Sequence, residues 1–132
     1  MLLPAEELDK LILDFIARGV DGKSSDAEFN QLALTLFRYQ FARNLPYRRY
    51  CLALYRRSCN VEHWTQIPAV PTTAFKDAEL TALKPEERVA VFHSSGTSGQ
   101  RPSQHFHSTA TLALYEAALW PMFERWVTSD EW

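Results

Sequence analysis

The chain has 132 residues, which is the size of one domain or of part of one. Hydrophobic residues make up 46% of the sequence and aromatic residues 13%, which is enough for a packed core and excludes a disordered chain. The formal net charge of -2 gives no reason to expect nucleic acid or an anionic membrane as a partner.

The cysteines and the lack of targeting segments indicate a location. No run approaches the ~20 apolar residues of a membrane span, and the N-terminus lacks the pattern of a secretory signal. Cys51 and Cys59 are separated by eight positions in a predicted helix and its exit. Eight helical residues span ~12 Å, beyond the ~4.4–6.8 Å between the Cα atoms of a disulfide. We therefore expect reduced thiols in a cytoplasmic protein.

Three helices are predicted in the first part of the chain. Gly19 is expected to end the first helix, and Ser25 with Glu28 has the spacing of a capping box at the start of the second. Pro46 is suited to the first turn of the third. We interpret the apolar residues at helical spacing as core. They are Leu8, Leu11, Ile12, Phe15 and Ile16, then Phe29, Leu32, Ala33, Leu36 and Phe37, then Tyr47, Tyr50, Cys51, Leu54 and Tyr55.

The third helix also carries basic residues among its tyrosines, a composition found on nucleic-acid-binding surfaces. Tyr47, Tyr50 and Leu54 share one side of the helix, whereas the paired arginines point largely elsewhere. An amphipathic helix with a basic solvent face is therefore the better interpretation, and we expect no nucleic-acid partner. The arginines of this stretch are Arg43, Arg48, Arg49, Arg56 and Arg57.

The pattern changes after Cys59. Pro68 and Pro71 force an extended path, and Thr72 or Thr73 is a candidate cap for a short helical turn through Phe75 and Leu80. A short β-prone run, 89–92, precedes a glycine-rich stretch that we expect inside a hairpin. A long closing helix follows, capped by Ser108 or Thr109. Its apolar stripe, also interpreted as core, is Leu112, Tyr115, Leu119, Met122, Phe123 and Trp126.

The glycine-rich stretch has the composition of a phosphate-binding loop. Glycines allow a close approach of the backbone to an anion, successive N–H groups can line an anion site, and hydroxyls add donors. Neither a Walker-type loop nor the Gly-x-Gly-x-x-Gly dinucleotide signature is present. The structural alternative is a flexible turn that joins two strands. The candidate phosphate-binding residues are Ser94, Ser95, Gly96, Thr97, Ser98, Gly99, Arg101 and Ser103.

This stretch resembles the phosphate loop of the adenylate-forming superfamily. Phe92-His93-Ser94-Ser95-Gly96-Thr97-Ser98-Gly99 with Pro102-Ser103 is most similar to the acyl-protein synthetase family, the ATP-dependent fatty-acid-activating component of bacterial luminescence fatty-acid reductase. The segment 67–80 resembles the Pro-x-x-Pro…Phe-Lys element of the same proteins. A lysine that many superfamily members carry after the loop is replaced by Ser103, as in acyl-protein synthetases.

The resemblance implies that ATP activates a fatty acid as an acyl-adenylate and that the acyl group passes to a protein cysteine thiol. ATP and Mg²⁺ are the implied cofactors, and a reductase or an acyl-transfer protein is the implied partner. The implied fold is α+β and helix-rich, an N-terminal fragment of the α/β large domain of adenylate-forming enzymes. Residues 1–60 would form its helical region, and 61–132 would supply the proline element, the phosphate loop and the closing helix.

Family members run to several hundred residues, so the resemblance implies that the catalytic residues, the adenine pocket, the acyl tunnel, the Mg²⁺ ligands and the acyl-accepting cysteine lie downstream of this chain. We therefore expect the chain to be inactive alone, and its unpartnered final helix to expose apolar surface. Two alternatives stay open. One is a fragment of an aryl- or acyl-CoA ligase, and the other is a non-catalytic helical interaction module whose Ser/Gly stretch is a linker.

Three histidines lie on either side of the loop. His105 and His107 would share one face of a strand, and His93 lies before the loop. Three imidazoles can hold zinc, but no Asp, Glu or Cys stands beside them to complete the ligand set. We expect no metal site and predict histidines that form hydrogen bonds in or near the ATP pocket.

Overall fold

The computed structural model describes residues 2–19, 22, 24–55, 59–95 and 101–127. Helices and one two-stranded sheet make up this part of the chain, which confirms the helix-rich α+β class. The helices are α1 (Ala5–Ala17), α2 (Asp26–Arg43), α3 (Leu45–Leu54), α4 (Ala74–Asp77) and α5 (Thr109–Val127). The strands are β1 (Ala90–His93) and β2 (Gln104–His107), and single 3-10 turns span Trp64–Gln66 and Pro85–Glu87.

The capping box at Ser25 and the glycine after α1 mark helix ends as predicted, and Asn44 is a cap that the sequence analysis did not name. The Ser25 hydroxyl accepts a hydrogen bond from the Glu28 amide, and the Glu28 carboxylate accepts one from the Ser25 amide, which confirms the capping box. Asn44 begins α3, because its side-chain oxygen accepts a hydrogen bond from the Tyr47 amide. Gly19 follows the end of α1 with a φ of 68°.

The core joins α2, α3 and the segment that follows them. Its buried members are Leu34, Phe37, Tyr47, Cys51 and Val61. Two tyrosine hydroxyls also fasten the proline element to α3: that of Tyr47 donates to the Pro68 carbonyl at 2.9 Å, and that of Tyr50 donates to the Ala69 carbonyl at 2.9 Å. Proline has no backbone N–H, so a segment with two prolines cannot form a regular hydrogen-bonded structure of its own. The two tyrosine hydroxyls instead bond its carbonyls and hold its extended path.

The predicted apolar stripes form the core only in part. Leu8 and Phe37 are buried, but Leu11, Phe29 and Leu36 are 45%, 41% and 37% exposed. No described residue of α5 is buried, so the interpretation of its stripe as core was wrong, whereas the expectation that this helix exposes apolar surface is confirmed. The reason is that helical spacing identifies an apolar face without identifying what covers it, and the main contacts of α5 are with α1 and β2 along part of its length. The exposed members are Tyr115, Leu119, Met122, Phe123 and Trp126.

The cysteines are free thiols, as expected, but the distance argument behind that expectation does not hold. The helical spacing used to separate them does not apply, because α3 ends at Leu54 and Cys59 packs against the cluster that contains Cys51. Within the residues that the structure describes, none of the helices combines the length and apolarity that a bilayer crossing requires.

Candidate functional site

The predicted loop is carried by an antiparallel hairpin. β1 pairs with β2 from Ala90 opposite His107 to His93 opposite Gln104. The Val89 amide donates to the His107 carbonyl at 2.8 Å and extends the pairing by one residue. The two ends of the loop are therefore held side by side by strand hydrogen bonds, so the loop starts and finishes at one point of the structure.

A further hydrogen bond closes the base of the loop. The Ser103 amide donates to the Ser94 hydroxyl oxygen at 3.0 Å, immediately beyond the last strand pair. Ser103 is only 5% exposed, and its hydroxyl lies 2.9 Å from His105 Nε2. We call Ser94, Ser103 and His105 the loop neck. In the neck, Ser103 joins the start of the loop to the strand that follows it.

The predicted phosphate-binding residues fall into three groups. Ser94, Ser95 and Arg101 are exposed at the two ends of the loop. Ser103 is brought to Ser94, but it is buried and its hydroxyl pairs with His105, so its binding role stays a prediction. The others, Gly96, Thr97, Ser98 and Gly99, lie outside the described residues.

The described ends of the loop suit an anion. Ser94 and Ser95 supply exposed hydroxyls, and Arg101 supplies an exposed guanidinium. The sequence from 92 to 107 contains no Asp or Glu that would repel a phosphate. Hydroxyl and guanidinium donors in a stretch that carries no carboxylate of its own fit the triphosphate of ATP, and these residues would hold it.

The side chains of His105 and His107 contact aromatic rings and a helix hydroxyl. The His105 ring lies against Phe75 of α4, with 4.7 Å between the ring centroids. The His107 ring lies 4.5 Å from that of Phe92, and its Nδ1 is 3.3 Å from the Thr111 hydroxyl. Among the residues that the structure describes, no three His, Cys, Asp or Glu side chains converge as a metal site would require. The imidazoles thus connect the hairpin to α4 and α5.

The two cysteines are poorly suited to accept an acyl group. Cys51 is 0% exposed. Burial raises the pKa of the Cys51 thiol and also that of the Cys59 thiol. The nucleophile in thiol acylation is the thiolate, and a raised pKa keeps these groups protonated. Neither is therefore a fitting acceptor.

Sequence reasoning missed an apolar groove beside α2, which we call the α2 groove. It is a cavity of about 460 Å³ between α2, α3, the proline element and α4. A second cavity of about 380 Å³ lies against the hairpin and shares Phe75 and Leu80 with it. One feature of the sequence could have indicated this groove: Ile67, Val70 and Leu80 are apolar residues in a segment without long helices. The apolar side chains of the groove are Ala33, Leu36, Phe37, Ile67, Val70, Phe75 and Leu80.

Comparison with known proteins gives two matches. The model of the family described as "Acyl-protein synthetase, LuxE" matches residues 1–114, a range that contains the proline element and the hairpin. The long-chain-fatty-acid–luciferin-component ligase of Photorhabdus luminescens is 35% identical over 69 residues. This aligned segment covers 52% of the chain and 59% of the length of that ligase. No solved structure matches the chain significantly.

Proposed function

The chain belongs to the acyl-protein synthetase family LuxE, and from that membership we propose that it takes part in the ATP-dependent activation of a fatty acid. In the proposed reaction the fatty-acid carboxylate displaces pyrophosphate from ATP to give an acyl-adenylate, and the acyl group then passes to a protein cysteine thiol. The name of the Photorhabdus luminescens relative, a long-chain-fatty-acid ligase, supports a fatty acid as the substrate.

The observation that carries the proposal is the loop neck. The strand pairing and the bond from the Ser103 amide to the Ser94 hydroxyl hold the glycine-rich loop at both ends. A loop whose ends are held in this way loses less conformational freedom when it surrounds an anion. We propose that Ser94, Ser95 and Arg101, with the backbone from Gly96 to Gly99, bind the phosphates of MgATP and stabilise the charge that develops on the departing pyrophosphate.

The acyl acceptor in this proposal is a cysteine other than Cys51 and Cys59. Burial raises the pKa of both thiols, and the Cys51 side chain has no access to solvent. The acceptor protein and a reductase that consumes the acyl group are the proposed partners. Because the aligned segment covers 59% of the relative, the activity proposed here is that of the whole family protein.

The first test is titration calorimetry of MgATP with the folded chain. We expect weak binding that Gly96→Val abolishes, because a β-branched residue removes the backbone freedom that the sequence predicts for this position. Arg101→Gln should weaken binding about tenfold, the effect of losing one charge-assisted hydrogen bond. The matched control is Arg49→Gln, an exposed arginine of α3 away from the hairpin, which should change the affinity less than about twofold.

Two results bear on the proposal in different ways. If the chain is folded by circular dichroism and binds no MgATP, the phosphate-binding role is wrong and a non-catalytic helical interaction module becomes the better explanation.

The second test is fatty-acid-dependent exchange of labelled pyrophosphate into ATP. We expect this chain to bind MgATP without exchange, and exchange by the chain would contradict the expectation that catalytic residues lie elsewhere.

A further inference from the structure

The α2 groove has an uncharged lining. Its walls come from α2, α3, the proline element and α4, and they include no Asp, Glu, Lys, Arg or His. Its volume of about 460 Å³ falls within the range of ~300–1,000 Å³ that is usual for small-molecule sites. A cavity of this size with an apolar, uncharged wall favours an apolar occupant, because a charged one would lose its hydration without gaining a partner.

Several polar atoms at the edge of the groove already take part in hydrogen bonds. The Asn44 side-chain amide donates to Gln40 Oε1 at 3.2 Å, and Asn44 Oδ1 accepts a hydrogen bond from the Tyr47 amide. The Tyr47 hydroxyl donates to the Pro68 carbonyl. A peptide segment in the groove would bring N–H and C=O groups that each need a partner. A hydrocarbon chain needs none, so the groove selects a hydrocarbon chain over a peptide.

One end of the groove leads to the hairpin. Phe75 and Leu80 line both the α2 groove and the second cavity, whose wall includes His105 and His107. The resemblance implies an acyl tunnel downstream of this chain, but we infer from these two cavities that the α2 groove itself binds the alkyl chain of a fatty acid whose carboxylate points toward these two histidines. This inference rests on the proposed function, which places the phosphates of ATP at the loop that the same hairpin carries.

The first part of the test is a chain-length series. Titration calorimetry with octanoate, decanoate and dodecanoate, each below its micelle concentration, should show an affinity that rises about fourfold for each added methylene until the groove is full. An affinity for the folded chain that is independent of chain length would overturn the inference, because a carboxylate alone would then account for binding.

The second part uses a matched pair of substitutions. Leu36 and Leu13 are both 37% exposed on helices, but only Leu36 lines the groove. Leu36→Glu should weaken dodecanoate binding at least tenfold, whereas Leu13→Glu should change it less than twofold. Leu36 also borders a cavity on the α1 side, so Ala33→Trp is added, because it fills the groove without adding a charge. Circular dichroism confirms that each variant is folded.

Parallel measurements separate this inference from the proposed function. Equal dodecanoate affinity in Leu36→Glu, Ala33→Trp and the unchanged chain would overturn the groove assignment, whatever the chain does with MgATP. Loss of fatty-acid binding in both groove variants with unchanged MgATP affinity supports it. If Gly96→Val loses MgATP binding but keeps chain-length-dependent fatty-acid binding, the fatty acid is bound outside the loop, as the inference requires. If sedimentation shows a dimer that Leu36→Glu dissociates and no fatty acid binds, the occupant is a second copy and the inference is wrong.

Discussion

The segment from α2 to the proline element and the segment from β1 to α5 are held in different ways. The first contains the buried cluster around Phe37 and Cys51, with tyrosine hydroxyls that tie the proline element to α3. In the second, Ser103 is the single buried residue of the described positions, and it is polar. The part with the most specific sequence motif therefore has the least hydrophobic packing.

This difference shows how the two parts can divide their roles. Burial of apolar side chains supplies stability, and the first segment has most of it. Anion binding needs backbone amides and hydroxyls near solvent, which apolar packing would remove. The hairpin is instead positioned by strand pairing, by the ring contact of Phe75 with His105, and by the Arg88 guanidinium over the Phe106 ring at 4.3 Å. Such a region opens more easily than a packed core.

The largest difference in stability is expected when one aromatic ring is removed from each segment in turn. Phe37 is 7% exposed and Phe123 is 42% exposed. Phe37→Ala should lower the free energy of unfolding by about 3–5 kcal/mol, because it leaves a cavity in the core. Phe123→Ala should change it by less than about 0.5 kcal/mol. Urea denaturation measures both, and a large loss in Phe123→Ala would mean that α5 is covered in solution.

A smaller effect should follow from the loss of Arg88, which joins the hairpin to the segment before it. Arg88 donates to Glu79 at 2.7 Å and to the Leu83 carbonyl at 3.3 Å, and its side chain is 18% exposed. Arg88→Met should lower the free energy of unfolding by about 2 kcal/mol and speed hydrogen exchange in β1. The control is Arg18→Met.

The Arg18 side chain is 45% exposed and pairs with Glu28 at 3.3 Å. Its substitution should cost less than about 1 kcal/mol, because solvent screens an exposed ion pair. Equal losses in the two variants would contradict a specific role of Arg88 in holding the hairpin.

The smallest effect concerns the capping box of α2, far from the hairpin. Ser25→Ala should cost about 1 kcal/mol, and Ser24→Ala, which lies outside the box, less than about 0.5 kcal/mol. The hydrogen bond from the Ser25 amide is the main cause that lowers the pKa of Glu28 in the folded chain. That stabilisation is present above the ordinary carboxyl pKa and is lost as the pH falls through the lowered value.

Glu28→Gln should therefore be destabilising at neutral pH, and the difference from the unchanged chain should disappear in acid. Thermal unfolding across this pH range checks the sign. A deficit that grows as the pH falls would show that the Glu28 carboxylate does not stabilise the folded state through this bond.

The candidate site was predictable to the extent that it is local. The hairpin and its connecting loop follow from a short β-prone run, a cluster of glycines and hydroxyls, and a second extended stretch. Ser94 and Ser103 were both predicted as site residues, but the hydrogen bond between them was not. The α2 groove was not predicted, because its walls join Ala33 of α2 to Ile67 and Phe75, which are distant from Ala33 in sequence and become its neighbours only in the folded chain.

The sequence by itself determined the helix-rich α+β class, the capping box at Ser25, the place of Pro46 in the first turn of α3, and the family. These depend on interactions among residues a few positions apart or on a contiguous motif. Only the tertiary structure decided which apolar faces are covered, that Cys59 returns to the cluster of Cys51, and that Phe75 meets His105. Those outcomes depend on how distant segments pack, and periodicity along one helix holds no information about its partner.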